Sequence, residues 1–265
     1  MRPIAVGETL RRLVAKFLSM HPETVAVGRG LHPLQLGVGA SGACESLAIG
    51  IQEVLNHPPS PEPWVAVAVD ITNAFNTLSR AAIVEGVREF APHLEPWTAL
   101  TLGQETPLLL GELSIPSRRG TQQGDPLGPI LFCLGIQRAV SSLPTCGLWW
   151  NRWYFDDGCI VGPPSAVEHA VSVLVPALAR LGCEVNVTKV VWGPGTSYIR
   201  SDSPRFPTLL SLAQVDFSPD SGLLVLGVPV HPLGQSAFVR SHLTAKVELL
   251  RDSCAKLRLV EDPHI

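Results

Sequence analysis

Between Thr9 and Ser19 the apolar residues Leu10, Leu13, Val14, Phe17 and Leu18 recur every three or four positions. That spacing predicts a helix, with Glu8 and Thr9 placed to open it. Ser41 to Leu55 carries the same period, with Cys44, Leu47, Ala48 and Ile51 along one face. The period stops in His57-Pro58-Pro59-Ser60-Pro61-Glu62-Pro63, which reads as an extended loop. Val65 to Asp70 is apolar until its final acid and predicts a strand covered on at least one side. Ser79 to Phe90 begins with a capping serine and predicts a helix. Leu108 to Ile115 predicts a hairpin turning at Gly111-Glu112. Pro126 to Ala139 predicts a helix with proline in its first turn, and Trp149 to Val161 a hairpin tipped by two acids. Ala166 to Leu181 predicts a helix ended by Gly182 and kinked at Pro176. Val185 to Trp192 and Leu223 to Val230 predict strands, and Ser236 to Leu259 a long charged amphipathic helix. Strands mixed with helices, with acids on central strands, give an α+β class: a sheet covered by helices on one face.

The acids carry the chemistry. Carboxylates in apolar surroundings are costly unless compensated, and hard divalent cations are compensators that take oxygen ligands. Asp70 ends one apolar strand, and Asp156-Asp157 lie between Trp153-Tyr154-Phe155 and Gly158-Cys159-Ile160-Val161. Two acid-tipped strands from distant parts of one chain suggest a two-metal phosphoryl-transfer site. Taken singly, an Asp-Asp pair is more often a solvated turn than a metal site, and a strand-end Asp is often a turn or helix cap. A third segment lies between them, Arg118-Arg119-Gly120-Thr121-Gln122-Gln123-Gly124-Asp125-Pro126-Leu127-Gly128-Pro129.

The ordered set resembles the reverse transcriptase domain of non-LTR retrotransposons. Asp70-Ile71-Thr72-Asn73-Ala74-Phe75-Asn76 resembles the family's first catalytic motif. Gln122 to Pro129 resembles its template and nucleotide motif, and Tyr154-Phe155-Asp156-Asp157 its catalytic hairpin. Leu181-Gly182-Cys183-Glu184-Val185-Asn186-Val187-Thr188-Lys189 is similar to the motif ending in a palm lysine. Leu226-Gly227-Val228-Pro229-Val230 is similar to the primer grip. Arg2-Pro3-Ile4-Ala5-Val6-Gly7 and Gln35-Leu36-Gly37-Val38-Gly39 resemble fingers motifs.

The resemblance implies a right-hand polymerase with a palm, partial fingers and a mostly absent thumb. Partial fingers span 1–62, palm 63–78, fingers 79–125, palm 126–230, and the start of a thumb or connecting helix 231–265. It implies RNA-directed DNA polymerisation: transfer from a deoxynucleoside triphosphate to a DNA primer 3′-hydroxyl on an RNA template. Catalytic roles fall to Asp70, Asp156 and Asp157. The same three, with the carbonyl of Ile71, hold Mg²⁺, or Mn²⁺ in its place; Asp157 supports rather than leads. Arg2, Phe75, Gln123, Gly124 and Lys189 contact the nucleotide. Phe75 is a steric gate against a 2′-hydroxyl, and Lys189 approaches the leaving phosphate. Leu226 and Gly227 form the primer grip. Arg11 and Arg12 read either as phosphate contacts or as a solvated helix face.

Composition modifies this picture in two places. The net charge is −3, with 16 Arg and only 4 Lys. An overall basic surface is therefore absent, and any phosphate contact rests on a local arginine groove. The six cysteines form no CxxC pair, so reduced buried thiols in an intracellular protein are expected rather than a zinc site. The resemblance implies a nuclear or cytoplasmic ribonucleoprotein. No apolar run reaches about 18 residues, so no transmembrane helix and no membrane partner is expected. Nothing resembles the endonuclease or zinc knuckle of complete retrotransposon proteins. The alternative reading is a truncated, catalytically inactive remnant that still binds nucleic acid. An RNA-dependent RNA polymerase is disfavoured by Phe75 and by the Phe-Asp-Asp hairpin.

Overall fold

The computed structural model describes residues 7–122, 124–144, 146–193, 205–212, 214–216, 218–231 and 236–257. Its centre is a five-stranded sheet. β1 (Val65–Thr72), β4 (Trp150–Tyr154), β5 (Asp157–Gly162), β6 (Glu184–Trp192) and β7 (Gln214–Asp216) are ordered β4-β5-β1-β6-β7. All neighbours are antiparallel except β6 and β7. The central strand β1 is the apolar run read from sequence. Alternate residues of a strand face opposite sides, and both faces of β1 are covered.

On one face Val65, Val67, Val69 and Ile71 join Trp153, Ile160, Val190 and Trp192 in the larger core. Helices α5 (Arg80–Phe90), α7 (Gly128–Ser141) and α8 (Pro164–Arg180) cover that face. On the other face Ala66, Cys159, Val161 and Val191 pack against Leu47, Ile51 and Leu55 of α3 (Ala43–Asn56). Leu223, Val225 and Val230 of a small hairpin, β8 (Leu223–Val225) and β9 (Val228–Val230), complete this second core. Helices therefore cover the sheet on one face, as expected, while a single helix and a hairpin close part of the other. That second face is the one Asp70 shares.

The other elements are α1 (Thr9–Met20), α2 (Pro22–Gly30), α4 (Ala74–Thr77), α6 (Glu95–Leu102), the hairpin β2 (Thr106–Leu110) and β3 (Leu113–Ser117), α9 (Pro207–Leu210) and α10 (Ala237–Leu257).

Four differences from the sequence reading have physical causes. The segment Leu223 to Val230 is a hairpin, not one strand, because Leu226 and Gly227 both take left-handed backbone, φ 51° and 77°. Two consecutive left-handed residues make the tight turn that suits a hairpin's twist. The apolar face of α1 is left outward: Leu10, Leu13 and Phe17 are all more than 60% exposed. The period identified the helix but not a partner for it. Ser79 precedes α5 without a side-chain cap bond; its N–H instead donates to Leu181 O at 2.8 Å. Helices α2 and α6 were not foreseen, because the first is interrupted by glycine and the second is only eight residues long.

Candidate active site

Asp70 sits near the end of β1, directly opposite Asp157, the first residue of β5. Residues opposed in an antiparallel pair place their side chains on one face. Asn186 of β6 stands opposite Asp70 on its other side. Asp156 occupies the turn between β4 and β5, immediately before Asp157. All three acids thus lie where β1 meets the hairpin tip, Asp70 and Asp157 on one face and Asp156 in the adjoining turn. Asp70 and Asp156 are half-buried, and Asp157 is exposed. Asp156 also faces α7 closely enough for its charge to add to the upward push on the Cys133 thiol, which is due first to burial. Among the described residues no Lys, Arg or His forms an ion pair with Asp70.

The turn that carries Asp156 is built by Phe155 and Gln35. Phe155 has φ 54°, a left-handed conformation that a bulky residue adopts only under constraint. The constraint is Gln35, which is fully buried. Its Oε1 accepts from Phe155 N at 2.8 Å and from Gly37 N at 3.0 Å, and its Nε2 donates to Phe155 O at 3.2 Å. The segment Leu34–Leu36 adds two backbone bonds to Trp153, 2.8 and 2.7 Å long. Gly37 has no alternative, since a Cβ there would lie 2.7 Å from the Phe155 ring. Gln35 is thus a site residue that the sequence reading quoted within a fingers motif without assigning it a role.

Phe75 bridges the motifs. Its ring stacks on Phe132 of α7 at 4.6 Å between centroids and meets Phe155 edge-on at 5.9 Å. Its carbonyl accepts from Thr121 N at 2.8 Å, tying the first acid segment to the Gly120–Asp125 loop. Gly120, at φ 67°, is required because a Cβ there would overlap the Phe75 carbonyl oxygen. Gly124 is also left-handed, φ 106°. Asp125 Oδ1 then accepts from Leu127 N at 2.9 Å as the chain enters α7.

Arginines surround this loop. Arg11 pairs with Asp125 at 3.4 Å, and its side chain is only 18% exposed. Arg80 donates to Gln104 O at 3.0 Å and to Ser117 Oγ at 2.8 Å. Burial, and then repulsion from Arg11, lower its pKa. Arg80, Arg118, Arg119 and Arg180 line a recess of about 430 Å³.

On the acid face, Arg152 of β4, opposite Cys159, lies two residues before Tyr154, the residue paired with Asp157. It stacks over Trp150 at 5.2 Å, burial lowers its pKa, and it lines a small cavity with Asp157, Ala68 and Leu226. Period-two counting back from Tyr154, which pairs with Asp157, could have placed Arg152 on this face, and the sequence reading did not use it. Leu226 and Gly227 form the turn above the cavity, with His242 of α10 bonded to Gly227 O at 3.1 Å. Lys189 stands opposite Ala68 in the backbone register. Its side chain, together with Arg2 and Gln123, lies outside the described residues.

Residues 1–213 match the family model described as "Reverse transcriptase (RNA-dependent DNA polymerase)". The chain is 28% identical over 200 residues to the "Retrovirus-related Pol polyprotein from type-2 retrotransposable element R2DM" of Drosophila melanogaster, covering 72% of this chain and 18% of that protein. It is 28% identical over 135 residues to the "Retrotransposable element SLACS 132 kDa protein" of Trypanosoma brucei gambiense, covering 46% and 11% respectively. Among solved structures, apo telomerase from Candida tropicalis aligns with TM-score 0.43 and 14% identity, over 68% of this chain and 40% of that one. The chain spans about a fifth or less of the length of the curated relatives it matches. With the family model matching most of its length, the chain belongs to the reverse transcriptase (RNA-dependent DNA polymerase) family.

Proposed function

We propose that this chain is the nucleotidyl-transfer domain of a retroelement reverse transcriptase. It extends a DNA primer on an RNA template through divalent cations held at the β1–hairpin junction. One observation carries the reading: Asp70 and Asp157 face each other in register, next to the turn carrying Asp156. Like charges opposed across a sheet are destabilising, so the arrangement favours cations at this junction. An oxygen-only donor set, three carboxylates and the carbonyl of Ile71, suits Mg²⁺ or Mn²⁺. Bound there, the cations supply acidification of the primer 3′-hydroxyl and neutralisation of the triphosphate and leaving pyrophosphate.

The chain's own residues do the rest. Asp70 and Asp156 hold the cations, and Asp157 supports the electrostatics from the exposed side. Gln35 fixes the turn so that the carboxylates are positioned before substrate arrives. Phe75, stacked on Phe132, closes the space under the sugar and selects deoxynucleotides. Gly124 lets the backbone approach the base pair, and Gln123 contacts the sugar. Arg2 braces the triphosphate, with Lys189 near the leaving phosphate as a proton or charge donor. The arginine recess receives nucleic-acid phosphates. Leu226 and Gly227 seat the primer end over the acid face.

The test is RNA-templated single-nucleotide extension in Mg²⁺ or Mn²⁺. Asp70→Ala and Asp156→Ala are expected to abolish it while leaving nucleic-acid binding and the circular dichroism spectrum unchanged. A folded chain that binds primer–template yet extends nothing in either metal establishes the inactive-remnant reading instead.

A further inference from the structure

Away from the acid hairpin, three residues from two distant segments meet beside α2. His21 is the joint between α1 and α2, Glu23 is in the first turn of α2, and His93 lies in the 3₁₀ turn Pro92–Leu94 that follows α5. One ligand atom from each comes within 4.8 Å of the other two; among the described residues no other three His, Cys, Asp or Glu converge in this way. The His93 Nδ1 is 3.5 Å from Glu23 Oε2. The opposite nitrogen, His93 Nε2, is 2.9 Å from the hydroxyl of Thr24, a buried polar residue. The His21 ring is 6.1 Å from that of His93, and His21 Nδ1 is a buried nitrogen with no hydrogen-bond partner among the described residues.

We propose that His21, Glu23 and His93 form a zinc-class divalent metal site that staples α2 to the turn after α5. Two imidazoles and a carboxylate make a donor set suited to Zn²⁺ or a neighbouring transition metal, rather than to the Mg²⁺ of an all-oxygen site. Tetrahedral Zn²⁺ holds its ligand atoms about 3.3 Å apart. Ligand atoms no more than 4.8 Å apart close to that value by movements of up to about 1.5 Å, within reach of side-chain rotation. Metal-bound histidines characteristically donate their second ring N–H to a fixed acceptor, which sets tautomer and orientation. Thr24 Oγ1 stands in that place for His93. The buried, partnerless His21 Nδ1 is otherwise a desolvated polar atom with nothing to offset its burial. An ordinary His93–Glu23 ion pair accounts for neither His21 nor Thr24. Three protein ligands leave the fourth position to water, and Glu23, 65% exposed, is the side from which an ion enters.

The experiment uses the full chain, stripped of metal by a chelator and titrated with ZnCl₂ by calorimetry, in parallel with Co²⁺ followed by visible absorption. One equivalent is expected to bind. The melting temperature should rise on the order of 5 °C at free metal a hundredfold above Kd. The Co²⁺ spectrum should be that of a nitrogen–oxygen site without a thiolate charge-transfer band. Glu23→Gln and His21→Asn should each remove the saturable equivalent. Asparagine remains a good residue ahead of a helix, so the second change leaves α2 capped. Thr24→Val should keep the ligands but weaken binding about 10–100-fold. The proposal is overturned if no equivalent binds, if binding and the thermal shift survive in both Glu23→Gln and His21→Asn, or if the Co²⁺ band reports cysteine sulfur.

Discussion

Replacing Gln35 with methionine tests whether the catalytic turn is held from outside the hairpin. The side chain keeps nearly the same length but loses all three hydrogen bonds, to Phe155 N, Phe155 O and Gly37 N. At about 1 kcal/mol net for each, the loss is about 3 kcal/mol, with two buried backbone N–H groups left unsatisfied. For a chain of this size that lowers the melting temperature by about 6–12 °C. Release also lets Phe155 leave its left-handed φ of 54°, a conformation that stores roughly 1–3 kcal/mol. The turn then relaxes, and Asp156 moves with it. A shift of about 1 Å at a reacting group can cost about 100-fold in rate. The assay pairs thermal unfolding with primer extension at a temperature where Gln35→Met is fully folded, so that instability and mispositioning separate. The expected pattern is a fall in kcat larger than the change in KM for the nucleotide. A variant within about 0.5 kcal/mol of the parent, and with unchanged kcat, would falsify the clamp.

Three further outcomes follow from the same geometry. Asp157→Asn removes the like-charge opposition to Asp70 and should stabilise the metal-free chain by about 0.5 kcal/mol, while extension is reduced but not abolished; chemical denaturation with and without Mg²⁺ reads this, and a destabilised metal-free variant contradicts it. Phe75→Val should raise kcat/KM for ribonucleotides relative to deoxynucleotides and, by loss of stacking on Phe132, destabilise the fold by about 2 kcal/mol; an unchanged ratio in an active variant removes the gate. The Cys159 thiol is pushed up by burial from 9.0 to about 12, so iodoacetamide at pH 8 should label exposed Cys146 and Cys254 first and spare Cys159 in the folded protein. Because the folded value is raised, this group's contribution to stability is fully present below pH 9 and is lost as pH rises toward 12; denaturation midpoints across that window check the sign.

The sequence exposes the site in part, for identifiable reasons. An apolar run ending in an acid, and a two-acid turn between aromatic and aliphatic residues, are local patterns, and β1 and the β4–β5 hairpin are where those patterns put them. The pairing of Asp70 with Asp157 is a register, which no single segment encodes. Gln35 escaped a functional reading because the partners that fix the catalytic turn are Phe155 backbone atoms 120 residues away. Arg152 lay within strand alternation but carried no charge pattern of its own. Leu226 in a left-handed turn position offers none of the Asn-Gly or Asp-Gly signal that usually marks a hairpin, so two short strands read as one. The period in α1 defines an apolar face, yet burial depends on what packs there, and Leu10, Leu13 and Phe17 remain outward. The convergence of His21, Glu23 and His93 likewise joins segments about 70 residues apart that share no motif.

The central claim is that the β1–hairpin junction holds the catalytic cations, and it is read most directly by Mn²⁺ electron paramagnetic resonance. The sample is the chain bound to an RNA template, a dideoxy-terminated DNA primer and the matched nucleotide, with His93→Gln introduced to remove the separate histidine cluster. Two bound Mn²⁺ ions close enough for magnetic coupling, both lost on Asp70→Asn with the complex still assembled, is the result predicted. Mn²⁺ binding that is indifferent to Asp70 and Asp156 in that assembled complex contradicts it.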